Sequence, residues 1–194
     1  MTIDNCNTNE LKNLKLKLAH AINNKRSKKW CLTLWSRFIR ARDFYRCVSC
    51  GATHQIQAHH IFRKVTYPHG WLNTGNGISL CHACHRIPHA IFNGRPDLTE
   101  PINAKGGDDQ DEIAYMYGCL LDDAIQRDLD HNEFYYISDE MLLFFVAVQG
   151  YEELYYSVQA GNISRLRMTH EIWRVMPELW YSDVYRQLIV LNLN

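Results

Sequence analysis

The chain has 194 residues, is 46% hydrophobic and 12% aromatic, and carries 21 Lys and Arg against 21 Asp and Glu. That composition belongs to a folded globular protein and excludes a disordered or low-complexity one. The zero net charge is a cancellation between halves: residues 1–100 hold 15 bases against 5 acids, a net +10, and residues 101–194 hold 6 bases against 16 acids, a net −10.

In chain order, residues 10–22 set Leu11, Leu14, Leu18 and Ala21 at three-and-four spacing with Lys12, Lys15 and Lys17 between them, which predicts an amphipathic helix with a basic face. A basic turn, 23–29, leads to a second expected helix, 30–46, apolar through Trp30, Leu34, Phe38 and Ala41. Its other side carries Arg37, Arg40 and Arg46, and the first two are candidate phosphate contacts. The aromatics Trp30, Trp35, Phe38 and Tyr45 could stack bases, but their helical spacing favours core packing. Residues 1–46 thus form a basic helical region. A Cys- and His-rich core follows over 47–93, then a Pro-, Gly- and acid-containing linker, 94–110. Residues 111–194 read as an acidic helical domain with helices over 111–129, 138–149, 150–160 and 177–192, and with Ser138 as an N-cap. Its acidity would repel DNA, so it is expected to serve a protein partner, self-association or regulation. No apolar run approaches the roughly 18 residues of a membrane span, and the start lacks a secretory layout; a soluble, cytoplasmic protein without a membrane partner is expected.

Seven cysteines without a secretory signal argue against a disulfide framework. Four form two CxxC pairs, Cys47/Cys50 and Cys81/Cys84, able to give a structural Zn²⁺ four thiolates. The gap between the pairs exceeds the roughly 15–20 residues of a plain zinc ribbon, so something is inserted. From the insert onward the chain predicts a strand over 55–61, a second over 76–81 and a helix over 82–93. His59 and His60 end the first strand, while His85 and His89 lie four apart on one helix face. Histidines grouped in this way suit a second, separate metal ion with positions left for water or phosphate. Arg63, Lys64 and Arg86 flank the site and could grip phosphates; His82 would contact phosphate or support a ligand, and His54 and His69 read as ordinary.

The run His59-His60-Ile, followed by Asn76-Gly-Ile-Ser-Leu-Cys-His-Ala-Cys-His85 and preceded by CxxCG, resembles the HNH (ββα-metal) endonuclease signature in its zinc-knuckle form. The resemblance covers about a quarter of the chain, Arg42 to Phe92, and includes the Arg-Asp-Phe-Tyr-Arg-Cys lead-in. It implies an α+β fold with a ββα-metal core, and hydrolysis of phosphodiester bonds in nucleic acid, most simply DNA. In the roles it implies, His60 is the general base, Asn76 orients the base and its loop, and His59, His85 and His89 bind the catalytic ion (Mg²⁺, Mn²⁺, Ni²⁺ or Zn²⁺). His59 stands where many relatives have a carboxylate, and an all-nitrogen site is less suited to Mg²⁺. Two other readings fit the same residues: a non-catalytic zinc-ribbon adaptor for nucleic acid or protein, and a toxin-like nuclease held inactive by its acidic half or a partner.

Overall fold

Helix α1 (Asp4–Asn23) and helix α2 (Lys28–Arg42) pack as a hairpin, with Leu11, Leu18 and Ala21 of the first buried. Ser27 caps α2 by accepting from the Trp30 backbone N–H. The computed structural model describes residues 4–63, 67–89 and 109–175. Lys64, nearly all of the expected linker and the helix expected over 177–192 lie outside them. In α2 the buried stripe is Cys31, Leu34, Trp35, Phe38, Ile39, Ala41 and Arg42. Trp30 lies off that stripe and is 45% exposed, and Tyr45, beyond the helix end, is exposed as well. Core packing therefore holds for Trp35 and Phe38 and fails for Trp30 and Tyr45. The helix ends at Arg42, four residues earlier than expected, and Phe44 and Tyr45 take left-handed backbone that turns the chain into the first cysteine pair.

Strands β1 (Gln57–His60) and β2 (Gly77–Leu80) pair antiparallel, with His59 opposite Ile78 and His60 opposite Gly77. Between them lie short 3₁₀ turns at Pro68–Gly70 and Thr74–Asn76. Helix α3 (His82–Arg86) follows directly and packs on both strands. It is shorter than expected because the chain leaves α-helical bonding at Ile87, whose N–H returns to Cys84 O, and His89 then bonds to Arg86 O. Pro88, lacking an N–H, cannot extend the ladder.

The rest of the described chain is helical: α4 (Gln110–Gln126), α5 (His131–Phe134), α6 (Asp139–Gln149), α7 (Glu152–Gln159) and α8 (Arg165–Arg174). Asp109, Asp130, Ser138 and Ser164 cap α4, α5, α6 and α8, each accepting from the N–H three residues on. The described residues are thus α-rich around one small antiparallel sheet. One buried cluster runs from Phe38 and Ile39 through Phe62 and Ile78 to Tyr117, Phe145 and Trp173. At its centre the Phe62 ring meets Phe145 at 5.3 Å and Trp173 at 5.4 Å between centroids. Among the described residues no helix is long and apolar enough to cross a membrane.

Candidate metal centres and the loop between the strands

The two cysteine pairs converge. The Sγ atoms of Cys47, Cys50, Cys81 and Cys84 all lie within 4.8 Å of one another, and those of Cys50 and Cys81 are 3.7 Å apart. Four thiolates on a tetrahedral zinc at ~2.3 Å would be separated by roughly 3.8 Å, so the donor set fits a closed zinc site. Backbone bonds hold each pair. Cys47 N donates to Ala52 O and Gly51 N to Cys47 O, a tight turn that requires φ +76° at Gly51. Val48 N donates to Ser79 O, tying the first pair to β2. The Cys84 N–H holds the Cys81 thiolate and lowers its pKa to about 7.

His59, His85 and His89 form a second cluster, with one ring nitrogen from each within 4.8 Å of the others. The His59 ring stands edge-on to His85 at 4.8 Å and to His89 at 5.2 Å. Burial, then the neighbouring imidazoles of His85, His89 and His60, push the His59 pKa down to about 3. His85 and His89 are lowered too, mainly by burial. All three are therefore neutral at pH 7, the form that can donate a lone pair to a cation. A cavity of about 20 Å³, room for little more than one water, lies against His59, Arg63, His89 and the start of α4.

His60 leaves the strand on the other side. Its ring stacks on Trp35 with centroids 4.0 Å apart and planes 6° off parallel. Its Nε2 lies 2.8 Å from Trp71 O. A carbonyl only accepts, so Nε2 carries the proton and the basic lone pair is fixed on Nδ1. Asn76 pins the intervening loop at both of its side-chain ends: Oδ1 accepts from Phe62 N at 2.8 Å, and Nδ2 donates to Phe62 O at 2.9 Å.

Several supporting residues carry no signal in the motif. The Tyr117 hydroxyl, fully buried on α4, donates to Asn76 Oδ1 at 3.0 Å. Gly75 N donates to Tyr136 O, and Tyr136 N to Thr74 Oγ1, so the second half of the chain also grips the loop from outside. Arg42, fully buried, donates to Thr74 O at 2.7 Å and Gly77 O at 2.6 Å while paired with Asp43 at 2.8 Å, and Asp43 accepts from Ser79 N. Arg42 and Asp43 belong to the quoted lead-in, but nothing in their spacing announces a strut. Of the expected phosphate contacts, Arg37 and Arg86 are exposed and Arg40 and Arg63 half-buried; Arg63 lies near enough to His89 to disfavour its protonation. His82 is exposed on α3 and likewise disfavours protonation of His85. Compared with protein-family models, with curated proteins and with solved structures, the chain matches none.

Proposed function

We propose that this protein is a metal-dependent nuclease of the HNH type that hydrolyses phosphodiester bonds, most simply in DNA. The observation that carries the reading is an imidazole of fixed tautomer, His60, next along the strand to His59 of the neutral cluster His59, His85 and His89, with the following loop pinned by Asn76. A structural zinc module accounts for the four cysteines. It does not account for a histidine held by a backbone carbonyl beside three others.

In this reading His60 Nδ1 takes a proton from water as the water oxygen attacks phosphorus, and the bond to the 3′-oxygen breaks to leave a 5′-phosphate. The Trp71 carbonyl keeps the proton on Nε2 and, with the Trp35 face, stops the ring from rotating. A divalent ion on His59, His85 and His89 would neutralise charge on the phosphorane and on the departing oxygen. Asn76 holds Phe62 to the end of the loop, so that Trp71 O stays under His60.

Plasmid nicking with a panel of divalent metals tests the reading. His60→Ala is expected to lower the rate by about 10²–10⁴-fold while the histidine cluster still binds metal. His59→Ala is expected to weaken metal binding and to recover in part with excess metal. No nicking with any metal, or an undiminished rate in His60→Ala, overturns the proposal.

A further inference from the structure

Between α1 and α2, away from the metal clusters, lies a cavity of about 740 Å³ lined by Leu16, Lys17, His20, Asn24, Arg26 and Trp30, with Ala21 and Leu34 at its floor. The floor residues are buried, at 2% and 5% exposure, so the apolar surface it offers is Leu16, 70% exposed, and the Trp30 indole, 45% exposed. From Leu11 to Arg42 the sequence has ten Lys and Arg and no acid. Lys28, the first residue of α2, sits over the Trp71 ring at 5.1 Å, and the Trp71 carbonyl is the partner of His60.

We infer that this groove holds an unpaired nucleotide of a single-stranded nucleic acid, the base stacked on Trp30 and the flanking phosphates met by Lys17, His20 and Arg26. The inference rests on the nucleic-acid reading above and adds the form of substrate. Stacking on the indole needs a base whose face is not covered by neighbours, and in a duplex both faces of every internal base are covered. Aromatic stacking beside a cationic rim is the recurrent way of holding single strands without reading sequence. An amphipathic partner helix would need a row of apolar anchors at three-and-four spacing. Two exposed apolar side chains among four polar or charged ones do not form that row.

The test uses the full chain with His60→Ala as background, so that the strand survives, and reads fluorescence anisotropy of a labelled 12-nucleotide oligo(dT) and of a labelled duplex of equal length. Adding Trp30→Ala is expected to weaken oligo(dT) binding by about fivefold or more and to leave duplex binding within twofold, while Trp30→Phe keeps most of the single-strand affinity. Zinc content and circular dichroism confirm that each variant is folded. Equal weakening of both ligands, or no change in either, overturns the inference. So does a dimer in light scattering that Trp30→Ala dissolves, which would give the groove to a second copy of the chain. Cleavage of the same oligonucleotide by the His60-containing protein is scored separately, so a failed nuclease reading and a failed groove give different results.

Discussion

The Cys81 thiol accepts a backbone hydrogen bond from Cys84, which lowers its pKa to about 7 and favours the thiolate. A serine there would keep the size of the side chain but could not ionise. Cys81→Ser is therefore expected to take bound zinc, measured by atomic emission, from one per chain towards zero and to unfold the ββα unit, because metal affinity in such a site is folding energy. A zinc-free protein with an unchanged circular dichroism spectrum would sink the idea. At this scale the ligand-type side chains were readable, since thiols and imidazoles at fixed intervals have few other uses. What tunes them was not. The carbonyl of Trp71 that sets the His60 tautomer and the Cys84 N–H that holds Cys81 are backbone atoms, and every residue has those.

Among the elements, α4 was expected near its observed limits, 110–126, but not its task. Its Tyr117 fills the second lone pair of Asn76 Oδ1 in a place water cannot enter. Tyr117→Phe keeps the ring against Phe145 and removes only that bond, a loss of about 1 kcal/mol in stability. It is expected to lower single-turnover cleavage several-fold, with KM and metal content unchanged, since the loop under His60 loosens while the histidine cluster stays. A change confined to thermal stability would reduce Tyr117 to ordinary core. Helix α8 lies outside the predicted helices although its signals exist: Ser164 caps it, and Leu166, Thr169, Ile172 and Trp173 recur at helical spacing. The charges at Arg165, Arg167, Glu171 and Arg174 dilute that pattern. Trp173 of this helix nevertheless lies against Phe62, the residue Asn76 holds.

Across the whole molecule, the opposite charges of the two halves do not simply face solvent. Asp123 of α4 is paired with Arg46 and Arg127, and Arg127 also donates to the carbonyl of Arg42. The acidic half thus spends part of its charge inside, on the basic lead-in to the cysteines, and its aromatic residues complete the core around Phe62. The outward field remains positive along α1 and α2, where Arg37 is exposed and Arg42 is not. DNA affinity should accordingly fall log-linearly with salt, and Arg37→Ser should flatten that slope by about one unit. An unchanged slope in the variant would place the phosphates on another face.

Helix α3 is five residues long, and it begins right after Cys81 and carries both Cys84 and His85. A single turn and a half has no stability of its own in water. Zinc on Cys81 and Cys84 would fix this turn and, with it, the position of His85. If the histidine cluster takes an ion as well, that ion is expected to bind after the thiolate site is filled. Titrating metal-free protein with Co²⁺ should show thiolate charge-transfer absorption saturating with the first equivalent, and imidazole-only ligation beginning with the second. Simultaneous growth of both signals would mean that the sites fill independently.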